Sequence, residues 1–223
     1  MTTETTRHPA KFSDAFLPIF ADLLKGCERV LDPFAGVGKL ANIRDYGYEG
    51  AICLNELEPE WAHQTPFHPL NYVTIGDSEH LPYGDNFFLA VCTSCTYGNR
   101  MADHHNAQDT SRRNTYKHAL GRDLTAGNTG AMQWGEEYRR KHEAVWRECR
   151  RVLTDGGLFI LNVSDHIRKG EVVPVTQWHI DTLSSLGFVV EEHRKIPTPR
   201  LRYGANGGVR VEYESIVVLR RAR

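Results

Sequence analysis

Three apolar runs in this chain end in a carboxylate, and a fourth ends in hydroxyl and thiol groups. They are "RVLD", closing on Asp32; "GAICLNE", closing on Glu56; "NYVTIGD", closing on Asp77; and "NFFLAVCTSCTYG", which delivers Ser94, Cys95, Thr96 and Tyr97. The first run leads into "PFAGVG", where Gly36 and Gly38 let the backbone approach a ligand closely. A carboxylate just ahead of such a turn repels a pyrophosphate and attracts an ammonium. Glu56 suits a ribose diol and Asp77 an adenine amino group. A ligand carrying amine, ribose and adenine together is S-adenosylmethionine. A dinucleotide fits less well, because Ala41 stands where its fingerprint has a third glycine. A Walker loop is poorer still, since "GK" lacks both the upstream glycine and the following Ser or Thr.

For these groups to converge, the runs must be strands of one sheet. The chain has 223 residues, 40% hydrophobic and 25% charged, which fits one well-buried α/β domain spanning 1–223. "FSDAFLPIFADLLKG" has helical apolar spacing, with Ser13 or Asp14 as a cap and Pro18 as an expected kink. Helices are also expected after Gly38 and near Pro59. "GEEYRRKHEAVWRECRRVL" is a helix with a buried stripe through Tyr138, His142, Val145, Cys149 and Val152, stopping at "TDGG". "LFILNVSDH" is a fifth strand and "VTQWHIDTLSSLGF" a helix. "VVEEHRKIP" and "VRVEYESIVVLRR" form a closing antiparallel pair. This alternation predicts a Rossmann-like, mostly parallel, doubly wound sheet. In such sheets ligands bind at the carboxyl ends of the strands. The polar insert at about 98–133 is longer than an ordinary connection and is expected to contact substrate.

"HPAKF", "LDPFAGVG", "NELEP", "GDSEHLP" and "TSxxYGNRM", in that order, resemble the DNA amino-methyltransferases that act on the exocyclic nitrogens of adenine or cytosine. The chain looks especially like their small phage and bacterial members, of the kind found in restriction-modification. The resemblance covers most of the chain and implies a class I methyltransferase fold. It also implies a cofactor site built from Asp32, Pro33, Phe34, Gly36, Gly38, Glu56, Asp77 and Ser78. His8, Pro9, Ala10 and Lys11 would close over the methionine end, with Lys11 facing its carboxylate.

In the resembling enzymes the fourth strand ends in Asn, Asp or Ser, followed by Pro-Pro and an aromatic. An exocyclic base amine is a poor nucleophile because its lone pair is delocalised into the ring. A side-chain oxygen and a backbone carbonyl accept its two hydrogens, and the aromatic stacks on the flipped base. Here Ser94 and Tyr97 are kept, while Cys95 and Thr96 replace the prolines, so the carbonyl survives and its preorganisation is expected to be lost. Three readings follow. The loop methylates an amine, the protein is a silent nucleic-acid binder, or Cys95 is a nucleophile for pyrimidine carbon-5 methylation. A small-molecule methyltransferase is a further option.

The net charge of −1 excludes no partner, so the distribution of charge has to decide. Arg100, Arg112, Arg113, Lys117 and Arg122 lie in the insert, Arg168 and Lys169 after the fifth strand, and Arg200, Arg202 and Arg210 in the last long loop. Together they predict a basic rim for a phosphate backbone, DNA in the first instance and RNA as the alternative. Tyr116, Trp134 and Tyr203 could stack on bases, although Trp134 reads better as an anchor for the following helix. "CTSC" with His104 and His105 is too weak a pattern for a metal site, and none is expected. Five irregularly spaced cysteines and an N-terminus without an apolar core point to a reducing cytoplasm.

Overall fold

The computed structural model describes residues 8–9, 12–98, 116–198 and 211–223. The strands are β1 (Arg29–Asp32), β2 (Ala51–Glu56), β3 (Asn71–Ile75), β4 (Phe88–Ser94), β5 (Leu153–Val163), β6 (His166–Arg168), β7 (Glu171–Val173), β8 (Phe188–Pro197) and β9 (Tyr213–Arg221). Seven of them form one sheet in the order β3-β2-β1-β4-β5-β9-β8, and β6 and β7 make a separate hairpin. Pairing is parallel from β3 through β5, and antiparallel for β5 with β9 and for β9 with β8. The doubly wound sheet and its closing antiparallel pair are therefore both present. The strand order reverses between β1 and β4, which puts the switch point where Asp32 and Ser94 emerge.

The helices are α1 (Leu17–Leu23), α2 (Pro59–Ala62), α3 (Tyr116–Leu120), α4 (Glu136–Val152) and α5 (Val175–Ser185). Pro18 does not kink α1. It lies in the first turn, where a missing N–H costs nothing, and Ser13 caps the preceding 3-10 turn by accepting from the Ala15 N–H. The segment after Gly38, Lys39–Tyr46, winds as a 3-10 helix. α4 buries the expected stripe and adds Lys141 and Trp146 to it.

Two apolar clusters flank the sheet. One packs Phe16, Phe20 and Leu24 on Val30, Ala90 and Ile160; the other packs Trp146, Cys149 and Leu183 on Leu31, Val91 and Phe159. Cys92 belongs to the first cluster and Cys95 to the second, so the C-x-x-C spacing does not bring the two thiols together as a ligand pair.

"TDGG" does not stop α4. The helix ends at Val152 and β5 begins at Leu153, which pairs with Phe88, while the next pair is Leu158 with Ala90. Residues 154–157 therefore bulge out of the ladder, and Gly156 takes the left-handed turn at φ 72°. No helix separates β3 from β4, so edge strand β3 leaves Tyr72, Val73 and Ile75 exposed. Among the described residues no helix is long and apolar enough to cross a membrane.

The turn after β1 depends on Gly38, which has φ 72° and lies where a Cβ would be 2.7 Å from Thr65 Cγ2 and Oγ1. Gly38→Ala is expected to cost about 1–3 kcal/mol through strain and overlap. Thermal unfolding should record this as a drop of several degrees, at about 2–4 °C per kcal/mol for a chain of this size.

Candidate active site

The carboxyl ends of β1, β2 and β4 open into a cavity of about 350 Å³ bordered by Asp32, Glu56, Asp77 and the residues from Ser94 to Gly98. Asp32 is buried at the base. Its Oδ1 accepts from Thr93 Oγ1 at 2.7 Å and from the Phe34 N–H at 3.1 Å. Burial raises its carboxyl to about 7. The Thr93 and Phe34 hydrogen bonds oppose that rise, and the charge of Glu56 adds to it. Glu56 holds the glycine turn, with Oε2 accepting from the Gly36 N–H at 2.7 Å and Oε1 from the Glu58 N–H at 2.9 Å. Burial pushes the Glu56 carboxyl up as well. The Leu57 N–H also contributes a hydrogen bond, and the remaining acceptor capacity of the carboxylate is left for a hydroxyl. Asp77 also borders the cleft, but its charge is matched by Lys141 Nζ at 2.6 Å, and its other oxygen caps the following loop through the Glu79 N–H at 3.0 Å.

Pro33, Phe34, Gly36, Pro9 and His8 line the cleft. The His8 ring lies against Gly36, where a Cβ would be 3.2 Å from Nε2. Gly38 does not line the cavity and instead serves the turn packed on Thr65. Ser78 borders the cleft, but its hydroxyl donates to the Pro33 carbonyl and accepts from Asn55 Nδ2 at 3.0 Å, so its bonding ties two strand ends together. Ala10 and Lys11 lie outside the described residues.

Sequence reasoning missed one wall of the cleft. Trp61 and Tyr116 are buried with ring centroids 5.4 Å apart, and His8 meets Trp61 at 4.3 Å and Tyr116 at 5.5 Å. Tyr116 therefore belongs to the wall of the cleft. Gly127, Asn128, Thr129, Gly130 and Met132 complete that side, so the described part of the insert roofs the cavity. It is fastened by Glu58, whose side chain is fully buried and accepts from Arg122 Nη2 at 2.6 Å, Asn128 Nδ2 at 2.8 Å, and Thr125 N and Oγ1 at 2.8 and 2.9 Å. Burial acts to raise the Glu58 carboxyl, but these bonds outweigh it and hold it below its ordinary value. The signal for Trp61 was its place just after "NELEP"; Tyr116 reads locally only as a ring that could stack on a base, with no sign of its place in this wall.

At the other end, Ser94 Oγ donates to Asn162 Oδ1 at 2.9 Å and the Tyr97 hydroxyl donates to Glu214 Oε2 at 3.2 Å. Cys95 is not placed as a nucleophile. Its thiol is buried in the core, pushed up to about 12 by burial, and lies 3.6 Å from His179 Nε2. The loop is also better held than its lack of prolines suggests. Trp146 Nε1 donates to His179 Nδ1 at 3.1 Å, and an indole can only donate, so the proton of neutral His179 is on Nε2. That nitrogen faces the Tyr138 hydroxyl at 3.2 Å, and the hydroxyl in turn donates to the Thr96 carbonyl. Burial keeps His179 neutral by lowering its pKa well below the usual imidazole value, with His142 adding to the effect.

No protein-family model and no curated protein matches the sequence. Solved structures do match in shape. A putative methyltransferase of Haloferax volcanii, in complex with the Trm112 methyltransferase activator, aligns at TM-score 0.56 and 13% identity over 94% of this chain and 92% of that one. A putative sarcosine dimethylglycine methyltransferase from Galdieria sulphuraria aligns at 0.55 and 13%, over 94% and 85%. The cyclase SpnF aligns at 0.55 and 13%, over 92% and 81%. The fold is that of the class I methyltransferases. SpnF shows that this fold also serves a cyclase, so the chemistry has to be argued from the cleft itself.

The class I cleft fits an amino-acid-bearing adenosine. Its base presents an under-compensated carboxylate, Asp32, and two buried polar atoms in its lining, Trp61 Nε1 and Thr96 Oγ1, have no hydrogen-bond partner among the described residues. Of the expected basic rim, the described residues include Lys117, Arg122 and Arg168. Arg122 is committed to Glu58 and Glu60, and Lys117 pairs with Asp123 at 2.6 Å. Arg168 is exposed and reaches the Trp134 carbonyl at 3.4 Å. Trp134 packs its ring 5.3 Å from Tyr138 and 5.7 Å from Trp178, anchoring α4 as expected. Arg100, Arg112, Arg113, Arg200 and Arg202, with His104, His105, Tyr203 and Arg210, fall outside the described residues.

Two outcomes are expected. Asp32 can pair with an ammonium only when ionised, so S-adenosylhomocysteine should bind about tenfold more tightly at pH 8 than at pH 6 by titration calorimetry, and Asp32→Asn should abolish that slope. A carboxyl raised in the folded state stabilises the fold below its unfolded pKa, and this stability is lost as pH rises from about 4 through about 7. Asp32→Asn should therefore unfold at a higher temperature than the wild type at pH 8. Separately, Tyr138→Phe strips the Thr96 carbonyl of its donor, which should cost about 1–3 kcal/mol of stability. It should also slow turnover while leaving S-adenosylhomocysteine affinity unchanged.

Proposed function

We propose that this protein is an S-adenosylmethionine-dependent methyltransferase whose substrate is the exocyclic amine of a nucleobase, cytosine or adenine, in DNA. The observation that carries this reading is that Ser94 and Tyr97 border the same continuous cavity as Asp32, Glu56 and Asp77. A hydroxyl able to accept an N–H and a ring able to stack on a base thus face the place where the cofactor would lie. Asp32 would hold the amino-acid ammonium, Glu56 the ribose hydroxyls and Asp77 the adenine amine. The bound cofactor supplies an electrophilic methyl group on sulfur. Ser94 and the Cys95 carbonyl accept the two hydrogens of the amine, localise its lone pair and aim it. The Trp146–His179–Tyr138 chain keeps the loop from drifting, which matters because misplacement by about an ångström can cost ~100-fold in rate.

A second reading has its own support. The described part of the insert roofs the cavity, and Lys117 and Arg122 are engaged in ion pairs, which suits a small amine that the cleft encloses. The Galdieria neighbour, with its putative sarcosine dimethylglycine activity, points the same way.

Unmethylated DNA incubated with the protein and methyl-labelled cofactor, then digested and examined by nucleoside mass spectrometry, should carry label on an exocyclic nitrogen. Label that appears on small amines and not on DNA would decide for the second reading. Label on carbon 5 of a pyrimidine would overturn the assignment of Cys95 as a structural thiol.

A further inference from the structure

Ser94 has one hydroxyl proton, and its direction decides whether the side chain meets a substrate as donor or as acceptor. That proton goes to Asn162 Oδ1, on the register partner of Ser94 in β5. Asn162 is fully buried, and its amide nitrogen donates onward to Glu214 Oε2 and to the Ser215 carbonyl, each at 3.3 Å. An amide could present either end to Ser94, but a carboxylate only accepts. Glu214 and the Ser215 carbonyl, which likewise only accepts, together draw the nitrogen toward β9 and leave the oxygen facing Ser94.

We propose that Glu214 is a positioning residue that, through Asn162, fixes Ser94 as a hydrogen-bond acceptor and so selects substrates that present an N–H at the reacting nitrogen. The same Oε2 receives the Tyr97 hydroxyl, so one carboxylate orients both side chains that face the substrate. Glu214 is 6% exposed and borders the cleft at the Ser94 end. Without that charge the Asn162 amide is held in this orientation by the Ser215 carbonyl alone and turns more readily. Its nitrogen would then donate to Ser94 Oγ, and the serine proton would swing into the cleft, where it opposes an incoming N–H. This inference rests on the amine reading above and adds the reason that Ser94 accepts.

The test is Glu214→Gln, which keeps the shape and removes the charge. It combines steady-state methyl transfer to the amine substrate, S-adenosylhomocysteine binding, and the side-chain amide NMR signals of Asn162 across pH. The expected result is a fall in kcat of at least about tenfold with cofactor affinity changed less than about twofold. A kcat within about twofold of wild type overturns the relay. If the wild type methylates no amine, the amine reading fails, and the relay is judged on the NMR signals alone. Asn162 signals that follow a carboxylate titration in the wild type support the relay, and signals insensitive to pH overturn it. The wild-type measurement also decides the matter if Glu214→Gln does not fold.

Discussion

The cleft is organised by the burial of Asp32, Glu56 and Glu58 at the carboxyl ends of two adjacent parallel strands. Three carboxylates withdrawn from water must each find compensation or change protonation. Glu56 finds part of it in the amides of the glycine turn, although burial still raises its carboxyl, and Glu58 finds it in the insert. Each bond that stabilises the charge also shapes the site, because its donor belongs to a segment that must come close. Asp32 finds the least compensation. Two hydrogen bonds to one of its oxygens do not offset its burial, so its carboxyl titrates near neutrality and remains the group to which a ligand cation adds most. The acid left least compensated is the one best suited to hold a cation.

The loop after β4 shows a different solution to a similar problem. Prolines would preorganise its carbonyls from within the chain by restricting φ. Here the restriction comes from behind, where α4 and α5 present Trp146, Tyr138 and His179 as a chain of donors ending on the Thr96 carbonyl. Each member is fully buried, so the chain is shielded from competing water. Cys95 fits this arrangement as a small apolar residue, with its thiol against the His179 ring.

The insert has a structural part that its composition concealed. Its charged and polar residues read as a surface for a partner, yet Arg122, Thr125 and Asn128 turn inward to one glutamate, and Tyr116 fills an aromatic wall. A polar segment can be drawn into a fold as effectively as an apolar one when a buried charge waits for its donors. The enclosing roof that results brings a small enclosed amine into consideration beside a base in a nucleic acid.

The sequence by itself determined the alternation of strands and helices, the closing antiparallel pair, and the placing of Asp32, Glu56, Asp77, Ser94 and Tyr97 at strand ends. These follow from local periodicity and from the rule that parallel sheets gather their ligands at one edge. Pro18 and "TDGG" were misread because a proline in a first turn and glycines in a strand bulge look locally like a kink and a helix stop. The tertiary structure alone decided that Glu214 and Asn162 stand behind Ser94, that Glu58 holds the insert, and that Cys95 faces the core. Glu214 lies 120 positions beyond Ser94 in a strand that reads as ordinary core. No local pattern can reveal such a partner, because hydrogen-bond polarity is set by which side chains the sheet brings side by side.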